Sequence, residues 1–267
     1  MILFPNAKIN LGLNIVEKRA DGFHNIETVF YPIKINDSLE VIEATETKFN
    51  VHGVDIPGNV KDNICLKAYE LLKHDFDLPA IEVHLLKNIP VGAGLGGGSA
   101  DGSFMLKLLN QKFELGLTVQ QLQNYARQLG SDCAFFIENK PVFAFGKGDE
   151  FVEQEVNLDT YYLVLVKPAI HVSTADAYGG CLPSKPQTSL QMLLHLPVAE
   201  WKALVMNDFE STVFPKYPEI RAIKEHLYNN GALYASMSGS GSSVFGIFHS
   251  PVQLPELGKI HKVFYGV

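Results

Sequence analysis

Cysteine is scarce in this chain of 267 residues, which has only Cys65, Cys133 and Cys181, far from one another. An odd number of widely spaced cysteines argues against a disulfide framework, and the lack of a CxxC pair argues against a zinc ribbon or a dithiol redox motif. Free thiols are typical of a reducing compartment, so we expect a cytoplasmic protein.

Long apolar runs, excess positive charge and paired histidines are also missing. No window approaches the roughly 18 consecutive apolar residues of a membrane span, and the start MILFPNAKIN lacks the basic region of a signal peptide. The net charge of −7 argues against nucleic-acid binding, because phosphate backbones select basic surfaces. None of the nine histidines forms HxxxH or HExxH, which disfavours a histidine-built metal site.

The apolar pattern that is present predicts an α+β protein. It predicts strands at Lys8–Lys18, His24–Ile33, Ser38–Glu43, Ile81–Lys87 and Tyr161–Pro168, and two strands around a small-residue loop within Ala232–Phe248. It predicts helices from Asp62 or Asn63 to about His74, over Ser99–Leu109 and Thr118–Leu129, from Ser173 or Thr174, and, with interruptions, over Leu190–Lys224. The pattern restarts past Asp149, so we expect two domains, residues 1–153 and 154–267.

Glycine is concentrated in one stretch, PVGAGLGGGSADG, with six glycines between Pro90 and Gly102. The stretch follows a predicted strand and leads into a predicted helix. This order makes an anion site, because bare backbone N–H groups converge on the ligand and the helix N-terminus adds about half a positive charge. A surface turn would need only one or two glycines, so we expect a phosphate ligand.

The kind of phosphate loop stays open on these residues alone. A P-loop requires GxxxxGK[ST], and no lysine follows the glycines. Gly92, Gly94 and Gly97 match the dinucleotide fingerprint GxGxxG, which leaves an NAD-dependent oxidoreductase as an alternative. The acidic residue at the expected distance, Glu114, follows a helix rather than a strand, which counts against that alternative.

Two further motifs carry polar groups among apolar residues. In PNAKINLGL, Lys8 and Asn10 point to the same side of a strand; the plain alternative is an edge strand with a solvated lysine. In GSDCAFF, Asp132 borders a buried segment and is either a catalytic carboxylate or the N-cap of a short helix.

Together these motifs resemble the GHMP kinase family. Its phosphate loop, P-x3-G-L-[GS]-[SG]-S-[AS], is similar to Pro90–Ala100, and its C-terminal glycine-rich motif is similar to SGSGSSVFGIF. PNAKINLGLNI, RADGFHNIETVFYPI, KDNICLKA and LGSDCAFFI resemble the branch that phosphorylates the C2 hydroxyl of a cytidyl-diphosphate-linked methylerythritol in the non-mevalonate isoprenoid pathway. The resemblance implies an N-terminal domain like ribosomal protein S5 and a ferredoxin-like α/β C-terminal domain.

The resemblance implies a role for each residue of the reaction centre. Asp132 is expected to be the general base, Lys8 its partner, and Asn10 the residue that orients the substrate polyol. Mg²⁺ is expected to neutralise phosphate charge, with Ser99 the best candidate for a protein ligand. The triphosphate cradle consists of Pro90, Val91, Gly92, Ala93, Gly94, Leu95, Gly96, Gly97, Gly98, Ser99 and Ala100.

The nucleoside ends of ATP and of the acceptor are assigned in the same way. Asn63 and Lys87 match family positions near the adenine. Phe23, where the family usually has tyrosine, is expected to stack on the cytosine, and His24 to read its edge. Thr174 and Tyr178 are expected to complete the pocket. The plain alternatives are a turn hydrophobe for the phenylalanine and a helix–core contact for the tyrosine.

Other activities within the same fold also remain open. Another GHMP kinase, acting on homoserine or a phosphomevalonate, and a catalytically dead ligand sensor are the alternatives, and retention of both Lys8 and Asp132 counts against the sensor. Asp101 is interpreted as a first-turn helix residue favoured by the helix dipole. We expect small-molecule partners, no nucleic acid or membrane, and a monomer or weak homodimer.

Overall fold

The structure, a computed structural model, describes residues 1–267. Its strands are Ile2–Leu3 (β1), Asn6–Lys18 (β2), His24–Asn36 (β3), Ser38–Glu43 (β4), Lys48–Gly53 (β5), Ile81–Lys87 (β6), Val142–Phe145 (β7), Glu150–Glu153 (β8), Tyr162–Lys167 (β9), Tyr234–Met237 (β10), Val244–Phe248 (β11) and Lys262–Tyr265 (β12). Its α-helices are Ile64–Asp75 (α1), Gly97–Lys112 (α2), Val119–Leu129 (α3), Phe135–Glu138 (α4), Thr174–Tyr178 (α5), Leu190–Leu193 (α6), Trp201–Leu204 (α7), Glu210–Lys216 (α8), Pro218–Asn229 (α9) and Pro255–Gly258 (α10). Short 3₁₀ helices span Val60–Asp62 and Val198–Glu200.

The chain divides into two compact units, and both are discontinuous in sequence. Unit 1 comprises residues 1–7, 35–91 and 96–140, and unit 2 comprises residues 8–34, 92–95 and 141–267. The glycine-rich stretch therefore contributes residues to both units.

Unit 1 contains a four-stranded sheet in the order β1-β4-β6-β5 and four helices. β4 pairs antiparallel with β6, and β5 pairs parallel with it. Helix α2 contacts α1, α3 and α4, and its buried residues after Ala100 include Phe104, Met105, Leu106, Leu108 and Leu109. A helix that is apolar on most of its circumference lies inside a core rather than at its surface, so α2 is the central element of this unit.

Unit 2 contains two four-stranded sheets, in the orders β2-β3-β7-β8 and β10-β11-β9-β12. In the second sheet, β9 pairs antiparallel with both β11 and β12. Its core includes Val164 and Val166 from β9, Val244 from β11, and Ile220 and Ile223 from α9. These helix residues are three apart, which presents one apolar face to the sheet.

The sequence-based prediction of an α+β protein is confirmed. The strands at Ser38–Glu43 and Ile81–Lys87 have the predicted bounds, and α3 begins with the predicted capping box between Thr118 and Gln121. Asn63 caps α1, and Ser173 caps α5. No helix in the chain combines the length and the apolar character that crossing a membrane requires.

Candidate active site

The glycine-rich stretch connects the end of β6 to the start of α2. Helix α2 begins at Gly97, two residues before the predicted start, so Gly97–Ala100 form its first turn. Its N-cap, Gly96, has a φ of 68° and no side-chain capping hydrogen bond. Because the first N–H groups of a helix have no intrahelical partner, this uncapped start supplies backbone donors for an anion.

Within unit 2, the segment Gly92–Leu95 is fixed by three hydrogen bonds to its carbonyl oxygens. The Lys8 N–H donates to Leu95 at 2.9 Å, and the Ser243 N–H donates to Ala93 at 3.2 Å. Ser238 Oγ donates to Gly94 at 2.8 Å. The first strand motif and the C-terminal small-residue motif therefore meet at the same four residues of the glycine-rich stretch.

Gly94 is the position in this segment where packing most strictly requires glycine. Its φ of +78° lies in the left-handed region, and a Cβ there would overlap the carbonyl oxygen of Ser238. The close approach of two backbones thus explains one glycine of the run by packing within the protein rather than by a ligand.

Lys8 and Asn10 form a buried polar chain in unit 2. Lys8 Nζ donates to Asn10 Oδ1 at 2.7 Å, and Asn10 Nδ2 donates to Thr28 Oγ1 at 2.9 Å. The lysine is 3% exposed and its ammonium lies 4.6 Å from the centre of the Phe30 ring. The alternative of a solvated lysine is therefore wrong, although β2 does lie at the edge of its sheet.

Asp132 lies in unit 1, in the turn that precedes α4. The N-cap of α4 is Ala134, which makes no side-chain capping bond, so the alternative of Asp132 as an N-cap is wrong. Ser103 Oγ, on α2, donates to the carbonyl oxygens of Ser99 at 2.8 Å and Cys133 at 2.6 Å. One hydroxyl thus joins the first turn of α2 to the residue that follows Asp132.

Burial raises the pKa of the Cys133 thiol to about 11, while a hydrogen bond with the Ser99 side chain acts in the opposite direction. Cys133 is therefore a neutral packing residue at neutral pH, with no nucleophilic thiolate. Its contacts with α2 place the Ser99 turn and the Asp132 turn side by side within unit 1.

Asn63 and Lys87, the residues predicted near the adenine, are both engaged within unit 1. Asn63 Oδ1 accepts the Cys65 N–H at 2.9 Å as the cap of α1. Lys87 is 3% exposed, and its ammonium donates to Asp37 and to Asp101, the latter at 2.8 Å. A direct contact between this ammonium and a nucleotide would require it to leave one carboxylate.

The interpretation of Asp101 as a first-turn residue favoured by the helix dipole is wrong. Because α2 begins at Gly97, Asp101 lies in its second turn, 2% exposed, paired with Lys87. Burial raises the pKa of Asp101 to about 8, and the positive charge of Lys87 opposes this shift. Its partners come from distant parts of the sequence, so the local pattern carried no signal for them.

The residues predicted at the cytidine end lie in unit 2. Phe23 is 61% exposed, with the Lys147 ammonium 5.5 Å from its ring centre. His24 stacks on Tyr178, with ring centres 4.8 Å apart and planes at 22°. Thr174, exposed, is the first residue of α5.

Tyr178 also contacts the core of unit 2. Its ring meets Phe209 edge-on at 4.7 Å. The plain alternative of a helix–core contact therefore holds for this tyrosine together with its stacking on His24. The structure brings together two of the predicted substrate residues and gives the tyrosine a fixed orientation.

Three residues with buried polar contacts, Thr28 in unit 2 and Asp37 and Ser103 in unit 1, were not singled out in the sequence. Thr28 accepts from Asn10 and donates to the Gly12 carbonyl oxygen at 2.6 Å. Ser103 and Asp37 make the contacts described above. Alternation along β3 predicts that Thr28 faces inward with Phe30, but a buried hydroxyl becomes recognisable only when its partners are known.

The chain has no group of three or more His, Cys, Asp or Glu residues arranged to hold a metal ion. Ser99, half-buried in the first turn of α2, offers a hydroxyl oxygen. Mg²⁺ prefers oxygen ligands and in many nucleotide sites takes only one or two of them from the protein, the others coming from phosphates and water. The Ser99 hydroxyl oxygen fits the role of such a single protein ligand.

Comparison with known proteins assigns both halves of the chain to one family. Residues 63–140 match the family model for the GHMP kinase N-terminal domain, and residues 194–259 match the GHMP kinase C-terminal model. The 4-diphosphocytidyl-2-C-methyl-D-erythritol kinase of Azobacteroides pseudotrichonymphae is 55% identical over 94% of both chains. The enzyme of the same name from Bacteroides fragilis strain ATCC 25285 is 56% identical over 93% of this chain and 92% of the other.

A solved structure gives the same result for the fold. The crystal structure of a 4-(cytidine 5'-diphospho)-2C-methyl-D-erythritol kinase superposes with a TM-score of 0.86 at 26% identity, covering 100% of this chain and 98% of the other. The agreement extends over the whole chain, including both compact units.

Proposed function

Since this chain belongs to the 4-diphosphocytidyl-2-C-methyl-D-erythritol kinase family of the GHMP kinases, we propose that it transfers the γ-phosphoryl group of ATP to the C2 hydroxyl of 4-diphosphocytidyl-2-C-methyl-D-erythritol. This reaction belongs to the non-mevalonate pathway to isoprenoid precursors. The observation that carries the proposal is the 55% identity over 94% of both chains to an enzyme of that name. Membership of this family excludes the alternative of an NAD-dependent oxidoreductase.

Pro90–Ala100 are proposed to cradle the phosphates of ATP. The uncapped start of α2 at Gly97 supplies N–H donors and the positive end of the helix dipole. The hydrogen bonds that hold Gly92–Leu95 in place support this role, because donors fixed in advance need no reordering when the ligand binds. Asn63 and Lys87 are proposed to lie near the nucleoside end, and the Lys87 ammonium stays hydrogen-bonded to Asp37 and Asp101 rather than contacting the nucleotide.

Asp132 is proposed as the general base and Lys8 as its partner. A tertiary alcohol is a weak nucleophile, so a positioned carboxylate that accepts its proton assists formation of the new P–O bond. The buried ammonium of Lys8 favours negative charge on the reacting oxygen, and Asn10, which holds Lys8 at 2.7 Å, is proposed to orient the polyol.

Mg²⁺ is proposed to bind with ATP, and Ser99 is the residue proposed to reach it. The ion would neutralise charge on the β- and γ-phosphates. The contact between Ser103 and the Ser99 carbonyl oxygen supports a fixed orientation for this turn.

The cytidine base is proposed to stack on Phe23, whose exposed ring leaves a face available. His24 would hydrogen-bond the cytosine edge, held in orientation by its stacking on Tyr178, with Thr174 at the rim. A phenylalanine preserves the stacking surface that the tyrosine of other family members provides but removes its hydroxyl.

We further propose domains at residues 1–153 and 154–267, a cytoplasmic location, and a monomer or weak homodimer. The two family-model matches lie on opposite sides of that boundary, while compact unit 2 also includes residues 8–34, 92–95 and 141–153 from its N-terminal side. The three cysteines are free thiols, which suits a reducing compartment. Sedimentation velocity distinguishes the two oligomeric states.

A panel of acceptors tests the substrate assignment. Formation of ADP from ATP is measured with the cytidyl-diphosphate compound, homoserine, mevalonate and phosphomevalonate at equal concentrations. We expect turnover with the cytidyl compound alone. Turnover of homoserine or a mevalonate compound without turnover of the cytidyl compound would overturn the assignment.

A further inference from the structure

A buried charge cluster of Asp37, Lys87 and Asp101, which we call the stem cluster, lies in unit 1. The three residues are 1%, 3% and 2% exposed. They come from three places in the sequence: the residue after β3, the last residue of β6 and the second turn of α2. β6 and α2 are the elements on either side of the glycine-rich stretch, so the cluster joins its two stems.

The first stem is held through Asp37. Its Oδ1 accepts the N–H groups of Asn88 at 2.5 Å and Ile89 at 2.8 Å, the two residues directly before Pro90. Its Oδ2 accepts a hydrogen bond from Lys87 Nζ. One carboxylate therefore fixes three consecutive residues at the exit of β6.

The second stem is held through Asp101. Its Oδ2 accepts from Lys87 Nζ at 2.8 Å, which ties the start of α2 to the end of β6. The contact is tight, because a Cβ on Gly97 would lie 2.7 Å from Ile89 Cγ2 and 3.3 Å from Lys87 Nζ. Gly97, the first residue of α2, thus packs directly against Lys87 and Ile89, both of which are hydrogen-bonded to Asp37.

The composition of the cluster is unfavourable for stability alone. One ammonium and two carboxyl groups are buried together, and Asp101 Oδ1 has no hydrogen-bond partner. Buried ion pairs are often replaceable by apolar side chains of similar volume without loss of stability. The feature that apolar side chains could not reproduce is the directed connection from Asp37 through Lys87 to Asp101.

We propose that Asp37, Lys87 and Asp101 are positioning residues for ATP, which hold the two stems of the glycine-rich stretch at the spacing that its phosphate-binding N–H groups require. The inference rests on the proposed function, since it assumes that the stretch binds the phosphates of ATP. It gives Lys87 a role through the geometry of the loop rather than through contact with the nucleotide.

Binding of the non-hydrolysable analogue AMP-PNP tests the inference, measured by calorimetry with Mg²⁺ on the full chain. We expect Asp101→Ala to raise the dissociation constant at least about tenfold, because the link to α2 is lost. Asp101→Asn, which keeps an acceptor for Lys87, is expected to stay within about threefold of the unchanged protein. The KM for the cytidyl acceptor should change little in either variant.

Two further variants separate positioning from stability. Leu72→Ala removes a buried side chain of α1 and lowers the melting temperature without touching the cluster's hydrogen bonds. The double variant Lys87→Met/Asp101→Leu replaces the second link by apolar groups that are expected to fold. It should bind AMP-PNP as weakly as Asp101→Ala, and Leu72→Ala should bind it normally.

The possible failures are distinguishable. If the unchanged protein does not bind AMP-PNP, the proposed kinase function and the inference both fail. If it binds AMP-PNP and the double variant binds it equally well, the stem cluster has no positioning role and the inference alone is overturned.

Discussion

Ser238 Oγ donates a hydrogen bond to the carbonyl oxygen of Gly94 at 2.8 Å, across 144 residues of sequence. The same Oγ accepts the backbone N–H of Asn10 at 3.3 Å. A single buried hydroxyl therefore links the N-terminal strand motif, the glycine-rich stretch and the C-terminal motif of unit 2. Three segments that resemble family motifs one by one form a continuous hydrogen-bonded structure.

Gly94→Ala should damage both folding and nucleotide binding. The left-handed φ costs a non-glycine residue about 1–2 kcal/mol, and its Cβ would overlap the Ser238 carbonyl oxygen. We expect a lower melting temperature and loss of AMP-PNP binding. Gly98→Ala is the matched variant for stability, because a Cβ there meets nothing within 4 Å; its melting temperature should not fall. Equal stability of the two variants would contradict the packing argument.

Asp132→Ala should abolish phosphoryl transfer while leaving ATP binding intact. General-base catalysis is worth about 10²–10⁴-fold, so single-turnover measurements should find a loss of several orders of magnitude. Asp159→Ala, which removes an exposed carboxylate, controls for net charge. A rate for Asp132→Ala within about tenfold of the unchanged protein would refute the assignment of the base.

Phe23→Ala should weaken binding of the acceptor and not of ATP. Base–aromatic stacking contributes about 1–3 kcal/mol per base, which corresponds to a rise in acceptor KM of about 5-fold to 140-fold. Because the ring is 61% exposed, the melting temperature should hardly change. Phe23→Tyr keeps an aromatic ring at this position. An acceptor KM for Phe23→Tyr as high as that for Phe23→Ala would therefore contradict stacking.

Removal of Mg²⁺ by EDTA should stop transfer, and added Mg²⁺ should restore it. If Ser99 supplies an oxygen to the ion, Ser99→Ala should raise the Mg²⁺ concentration that gives half-maximal rate. Ser211→Ala, which removes an exposed hydroxyl on α8 that donates to the Asp208 carbonyl oxygen, serves as the control. Identical Mg²⁺ dependence of the Ser99 and Ser211 variants would remove Ser99 from the metal site.

Short-range sequence patterns correctly predicted the helices and strands that neighbouring residues specify. The capping box of α3 and the alternation in β6 each depend on neighbours within a few residues, and both elements formed as expected. Strands β1, β5, β7, β8 and β12 were not predicted. β5 has only two apolar residues, Phe49 and Val51, and is partly exposed along its length, and the other missed strands have four residues or fewer, too few to establish a period.

Tertiary packing decided the remaining differences. Glycine has a low helix propensity, so the sequence favours a start of α2 after the glycines, yet Gly97 and Gly98 are helical because the turn packs on Ile89. The site was predictable as a set of motifs through resemblance to the family. The contacts of Asp37 and Asp101, and that of Ser103 with Cys133, join residues 14–52 positions apart and could not be inferred from spacing.

Identification of the phosphorylated product is the most direct test of the proposed phosphoryl transfer. The chain is incubated with ATP, Mg²⁺ and 4-diphosphocytidyl-2-C-methyl-D-erythritol, and the product is analysed by mass spectrometry and phosphorus NMR. We expect one added phosphoryl group, present as a monoester on the C2 oxygen, with ADP formed in equal amount. ADP formation without a phosphorylated acceptor, or a phosphoryl group on another oxygen, would contradict it.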